Sequence, residues 1–366
     1  MSTASSHRRA RLSAIIAAQV VAAVPDPRLE ITEVRLFPVR EPVSHRIYSI
    51  VRVRTRGGLS GYGEGPSISD SQFSQTQQYW VGKAATSYTT TGPQLPLSGA
   101  VDMALLDIIG KAANAPVYRV LGGPTRNKVR AFTSASLERA TSAGYRAVNV
   151  SVPPPAARNQ GQAYERDLRK MLDSLRTTGG DSVDFVLDGA GLLTPGDAAN
   201  VAMTIESMHP LWFDDPVAVA NSQTIRKIAD ESVVPLGFGR GVSNPSIYQE
   251  LLRESLIDIL RPDISREGIS GCRRIAAMAE PYYVAVAPRH DGGPIATAAA
   301  IQLAASLPNF FIQHIPLPDA QDDVRMRTEI GGTAVERIHD GFAAIPTGPG
   351  LGINVNEAAL EKYHAA

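Results

Sequence analysis

A single cysteine, Cys272, stands in a chain of 366 residues. It excludes an intramolecular disulfide and any thiolate metal cluster, and its plain role is that of a small buried hydrophobe. An excess of charge is missing too. The 36 lysines and arginines are matched by 36 aspartates and glutamates, so there is no basic surplus to hold nucleic acid or another polyanion. No apolar run is long enough to span a bilayer. Several motifs that carry chemistry are also absent: there is no His-Glu-x-x-His, no cysteine pair and no Gly-x-Ser-x-Gly. The glycine-rich stretch from Gly237 to Gly241 lacks the Lys-Ser/Thr of a phosphate loop. With 43% hydrophobic and 20% charged residues, the composition is that of a globular chain able to bury its own core.

What the chain does have is a series of short apolar runs ending in polar residues. DFVLD ends at Asp188, LWFDD holds Asp214 and Asp215, VPLGFGR ends at Arg240, IDILRPD at Asp263, YYVAVAPR at Arg289 and NFFIQH at His314. Successive ends lie 23 to 26 residues apart, the length of one strand-helix unit. Repeated units of this kind predict an α/β barrel with parallel strands. Chemistry in such barrels sits at the C-terminal strand ends, so these six side chains should converge on one pocket.

The rest of the chain divides around this series. Residues 1–28 are set apart as a leader or tail. Arg8 and Arg9 precede the Ala-rich LSAIIAAQVVAAV, which could be a twin-arginine export signal, although Gln19 interrupts it. A cytoplasmic protein with a loose N-terminal tail is the favoured alternative. Residues 29–125 predict a small α+β capping domain with two strands, ITEVRLFPVREPV and a second ending at Gly57-Gly58, then helices over 71–92 and 98–122. The α/β barrel occupies 126–330, opening with the strands VRAFTSAS and AVNVSV and a helix from 157 to 178 with an apolar stripe at Ala163, Leu168, Met171, Leu172 and Leu175. Residues 331–366 hold no further unit and are expected to return to the capping domain.

Several pieces of this chain, in this order, resemble the mandelate racemase/muconate lactonising branch of the enolase superfamily: ALLDIIGKAANAPVYRVLGG, LDG, WFDDP, RPDISREGI, APRHDGGPIATAAAIQLAASLPNF and PTGPGLGINV. The likeness runs from about residue 30 to 363. It implies a (β/α)8-type barrel under an N-terminal cap whose loops close over the substrate, and homo-oligomers. It also implies Mg²⁺ held on carboxylates at the ends of strands three, four and five. A base takes the proton next to a substrate carboxylate, and the metal stabilises the enediolate. That base is a lysine of a Lys-x-Lys pair on strand two, or a strand-seven histidine backed by a strand-six aspartate.

Carried over by position, most of these residues differ. Asp188 keeps the third-strand ligand. Asp214 stands for the usual glutamate of strand four. Arg240 falls on the fifth-strand ligand, Asn149 and Ser151 on the two lysines, Arg289 on the strand-seven histidine with His290 beside it, and His314 on a strand-eight glutamate; Asp263 is retained. A guanidinium has no lone pair to offer a cation. At about 4 Å and an effective dielectric of 20, each unit charge product is worth about 4 kcal/mol, so Arg240 opposes a dication strongly. The expectation is that Arg240 replaces the ion and pairs with Asp188 and Asp214, so no cofactor is called for. The alternative is that Arg240 swings away and weak Mg²⁺ binding survives on the remnant Asp188 and Asp214, with Asp215 as a further ligand.

Neither Asn149 nor Ser151 can take a proton from carbon. His314 and His290 remain as acid/base candidates, His290 through Asp263; the plain alternative for His314 is a hydrogen-bonded wall residue, and for His290 a surface residue or one behind the site. Arg240 and Arg289 suit an anion, with Asn149 and Ser151 beside them as substrate contacts, unless ion pairs consume the arginines. Glu64 and the loop near His45 and Arg46 fall where lid loops would lie. The reading is a divergent lyase (dehydratase) or isomerase for a small carboxylate such as a sugar acid. Its alternative is a catalytically silent homologue that binds a carboxylate or serves as a structural partner.

Overall fold

The computed structural model describes residues 26–87, 95–156, 161–218, 222–242 and 245–365. The leader expectation for residues 1–28 therefore lies almost wholly outside the described residues. Three antiparallel strands open the fold: β1 (Ile31–Arg40), β2 (Ile47–Thr55) and β3 (Ser60–Pro66). The sequence predicts only two strands here. β3 escapes the apolar alternation because glycines fill every second position, Gly61, Gly63 and Gly65. A Cβ on Gly61 or Gly63 would stand 2.1 Å from the Ala104 carbonyl or 1.8 Å from the Ala100 carbonyl. The strand is glycine-rich because the backbone of helix α2 (Ser98–Ala112) lies directly on it.

Helix α1 (Asp70–Trp80) starts at a capping box between Ser69 and Gln72 and stops where Val81 turns extended. It is shorter than the expected 71–92, and residues 88–92 lie outside the described residues. The expected helix over 98–122 divides into α2 and α3 (Val117–Val120). Pro116 has no N–H to continue the ladder and disfavours helical backbone before it, and Asn114 turns left-handed at φ 47°. Ile31, Val51, Val53, Leu105 and Ile108 pack the space between this sheet and α2.

Eight parallel strands follow: β4 (Lys128–Phe132), β5 (Ala147–Ser151), β6 (Asp184–Asp188), β7 (Trp212–Asp214), β8 (Leu236–Phe238), β9 (Ile259–Leu260), β10 (Ala285–Val286) and β11 (Gln313–His314). β5 to β10 pair in sequence, and β11 pairs with β4. The bridges Thr133↔Val148 and Val286↔Phe310 close the ring. Phe132, Ala147, Val186, Trp212, Ile259, Ala287 and Ile312 fill its interior, as the alternation along each strand requires. β8, β9 and β10 are shorter than the apolar runs suggest. Gly239 and Gly241, Pro262, and Pro288 interrupt the ladders, so Arg240, Asp263 and Arg289 stand just past the strand ends.

Helices alternate with the strands on the outside. In α5 (Gly161–Gly179), Leu168 and Leu172 are buried and Met171 and Leu175 half-buried, whereas Ala163, expected on the same stripe, is exposed. The start of the expected helix, 157–160, lies outside the described residues. Near the C-terminus, a hairpin of β12 (Ile338–His339) and β13 (Phe342–Ala344) adds antiparallel to β4. The chain then runs back to the first sheet, where Arg40 donates to the Tyr363 carbonyl and Glu357 meets Arg52 and Tyr62.

Candidate functional site

Parallel strands aim their last inward side chains at one mouth, and this barrel places three carboxylates and two guanidiniums there. Asp188 ends β6. It accepts from Arg240 at 3.0 Å, from the Asn149 amide at 3.2 Å and from the Ala190 N–H at 2.7 Å. Asp214 ends β7, and its carboxylate takes the Trp212 indole N–H at 2.9 Å and pairs with Arg261. Asp215, in a left-handed backbone at φ 38°, accepts the N–H groups of Gly239 and Arg240 at 2.9 and 3.1 Å. Burial raises the Asp214 carboxyl. Arg261 opposes that rise, while Asp215 and Asp188 add to it.

This corrects the expected pairing. Arg240 reaches Asp188 and, at 3.9 Å, Asp215, but Asp214 belongs to Arg261. Alternation explains the choice: Trp212 and Asp214 face the barrel interior, and so do Ile259 and Arg261. The Arg261 guanidinium lies 5.3 Å from the ring centres of Phe132 and Trp212, an apolar and aromatic setting in which a fixed pair is favoured. Mg²⁺ asks for a near-octahedral shell of free oxygens. The residues present do not fit it, since each carboxylate is already engaged by a guanidinium or by backbone N–H and the third position is an arginine. Among the described residues, no group of three or more His, Cys, Asp or Glu is placed to hold a metal ion.

His314 ends β11, with a side chain about nine-tenths buried. Its Nδ1 lies 3.1 Å from the His290 carbonyl oxygen, which can only accept, so Nδ1 carries the proton. Nε2 is then a bare lone pair, and the Ser134 hydroxyl donates to it at 3.2 Å. Asn149 Nδ2 in turn donates to Ser134 at 3.2 Å. A hydrogen-bonded chain thus runs from Arg240 through Asp188, Asn149 and Ser134 to His314. Burial, followed by the charge of Arg261, lowers the imidazole pKa to about 4.

The other expected residues take different places. His290 is completely buried and its Nδ1 has no partner among the described residues. Burial drives its pKa well below the ordinary histidine value, with His314 adding to the effect. It does not meet Asp263, which accepts from the Ser265 N–H to cap helix α9 (Ile264–Ala279). Arg289 is drawn to Asp291 at 2.6 Å and to Asp263 at 4.0 Å. Ser151 is exposed at the end of β5. The Arg240 side chain is 42% exposed and still open to an incoming group.

Over this mouth the β1–β2 loop forms one wall of a cavity of about 400 Å³, with Ser44, Arg46, Ser134, Asp291 and His314 among its lining. The loop is tied down. Asp323 accepts from the Val43 and Ser44 N–H groups at 2.8 and 2.9 Å, the fully buried Arg327 pairs with Glu41 at 3.0 Å, and Arg46 donates to the Asp291 carbonyl. Glu64, expected near the lid, is buried instead. It accepts the N–H groups of Gly293, Ile295 and Ala296 at the start of helix α10 (Pro294–Ala304), and burial lifts its pKa to about 7.

Sequence reasoning missed Arg261 and Ser134. Both carry a signal in the alternation, two residues beyond the inward-facing Ile259 and Phe132.

Comparison with known proteins bears on this arrangement. A family described as Enolase C-terminal domain-like matches residues 133–359. A D-galactonate dehydratase family member from Streptomyces bingchenggensis is 27% identical over 377 residues, covering 87% of this chain and 90% of its own. An enolase from Pantoea ananatis, solved with bound D-gluconate and Mg, superposes with a TM-score of 0.75 at 24% identity over 92% of this chain and 94% of its own. The 3,6-anhydro-D-galactonate cycloisomerase from Zobellia galactanivorans gives a TM-score of 0.79 at 23% identity over 92% of this chain and all of its own.

Proposed function

The chain belongs to the Enolase C-terminal domain-like family, and from that premise we propose that it is a lyase of the sugar-acid dehydratase kind that works without the usual metal. The observation that carries this reading is the neutral, oriented imidazole of His314 on the wall of a cavity at the barrel mouth, linked through Ser134, Asn149 and Asp188 to the exposed Arg240 guanidinium. In this scheme Arg240 holds the substrate carboxylate, as guanidiniums do in bidentate fashion, and replaces part of the charge that a divalent ion would supply. Nε2 of His314 takes the proton from the carbon next to the carboxylate. The imidazolium returns that proton to the hydroxyl on the following carbon, which leaves as water, and the enol becomes a 2-oxo acid. The names of the relatives support the substrate class, a small polyhydroxy carboxylate.

His290 is set aside as the base because it is buried and does not line the cavity. Arg289 is set aside as the main anion contact because Asp291 and Asp263 hold it. The absence of a lysine on β5 and the capture of Asp188 and Asp214 in ion pairs favour the second reading, a homologue that binds a carboxylate and turns nothing over.

A panel of aldonic acids assayed for 2-oxo acid in the presence of chelator separates the two readings. The first expects turnover that His314→Ala removes while binding persists. Binding with no turnover across the panel would leave the second.

A further inference from the structure

Ser134 has a place in the site that dehydration does not use. It stands just beyond β4, exposed on the cavity wall, with the buried His314 and the half-buried Asn149 behind it. Its oxygen accepts from Asn149, and its own proton is aimed at the lone pair on Nε2 of His314. The far side of that imidazole is fixed by the His290 carbonyl, which would also stabilise a second proton on the ring. A hydroxyl, a base at hydrogen-bond distance and a third group that orients the base make up an activated nucleophile. No strand-to-helix elbow or sequence motif is needed for it.

We propose that Ser134 and His314 act as a nucleophile–base pair that opens a small polyhydroxy ester or lactone held in this cavity. Ser134 Oγ forms a bond to the carbonyl carbon, and its proton passes to Nε2 of His314. The ester C–O bond breaks and the departing alkoxide takes that proton, leaving an acyl group on Ser134. Water then attacks the same carbon, giving its proton to Nε2. The bond to Oγ breaks, Ser134 recovers the proton, and the acid leaves. The Arg46 guanidinium on the same cavity wall supplies positive charge for the tetrahedral oxyanion. Hydroxyl and carboxylate groups on Ser44, Asp291 and Asp323 suit a ligand rich in hydroxyls, and about 400 Å³ suits a sugar-sized one. The lowered basicity of His314 makes it a ready proton donor to the leaving alkoxide. This activity goes beyond the proposed dehydration and needs no abstraction of a proton from carbon.

The test is covalent labelling of the full chain with diisopropyl fluorophosphate, read by intact mass and peptide mapping, alongside hydrolysis of a panel of sugar lactones. One adduct on Ser134 is expected, none in Ser134→Ala, and labelling of Ser134 slowed ~100-fold in His314→Gln. No adduct on Ser134 in folded protein, or the same rate in folded His314→Gln, overturns the proposal. Should His314→Gln fail to fold, the wild-type pH profile decides. The rate should stay level from about pH 8 to about pH 5 and fall only near the His314 pKa of about 4. A rate that climbs steadily with pH over that range, as for an unassisted hydroxyl, overturns it. Labelling involves no dehydration, so its outcome is independent of the aldonic acid panel.

Discussion

Arg261 and Asp214 meet inside the barrel with side chains only 4% and 1% exposed. Desolvating both ions is offset chiefly by their contact, so removing one partner strands a buried charge. Arg261→Leu should lower stability by about 3–5 kcal/mol, and adding Asp214→Asn should recover much of it. Urea unfolding of both variants reads this, and a loss below about 1 kcal/mol in the single variant would mean the pair contributes nothing. His314 sets a pH dependence of its own. Its folded pKa of about 4 lies below the ordinary 6.5, so between those values the unfolded chain binds the extra proton and the folded one does not. Stability should therefore fall as pH drops from about 6.5 towards 4, by ~3 kcal/mol from this residue. Glu64, raised to about 7, acts in the opposite direction over part of that range. The measurement is thus the difference between wild type and His314→Asn in denaturant midpoints across the range, and a difference that does not change with pH would contradict the assignment. Arg261 was hidden at sequence level because its neighbour Asp263 holds the retained family position. The inward alternation from Ile259 marks Arg261, but its choice of Asp214 depends on which interior side chains meet across three strands.

Elements were easier to read than their ends. The spacing of apolar runs marks six barrel strands, and the runs VRAFTSAS and AVNVSV mark the first two, because a buried parallel strand is an apolar stretch bounded by turn residues. The strand ends were read too long at Arg240, Asp263 and Arg289, where glycines and prolines stop the ladder while the polar pattern runs on. β3 was missed for the opposite reason: its packing partner is helix backbone, which leaves room only for glycine. Gly63→Ala puts a Cβ 1.8 Å from the Ala100 carbonyl, so sheet and helix must move apart. A loss of about 1–3 kcal/mol is expected, read as a lower melting temperature. A melting temperature equal to wild type would show that α2 does not rest on β3 as described.

Across the whole molecule, cap and barrel meet at the cavity, and the C-terminal segment returns to the cap. The cap lends the loop from Glu41 to Arg46, the barrel lends the strand ends, and the last helix ties back to the first sheet through Glu357 and Arg52. The spacing predicts six strand-end residues converging on one mouth; Asp188 and Arg240 meet there, whereas Asp214 pairs with Arg261 and Asp263 caps the following helix. What the mouth does depends on charge balance: Arg240 pairs with Asp188 and Asp215, Arg261 pairs with Asp214, and in the proposed reading these guanidiniums take the place of a divalent ion. Arg240→Glu should restore an oxygen donor and strengthen Mg²⁺ binding at least ~10-fold over the wild type. The most direct test is calorimetric titration of Mg²⁺ into chelator-treated wild-type protein. No binding, or binding no tighter than about millimolar, is the result expected when guanidiniums hold the site; a dissociation constant of about a micromolar would contradict it.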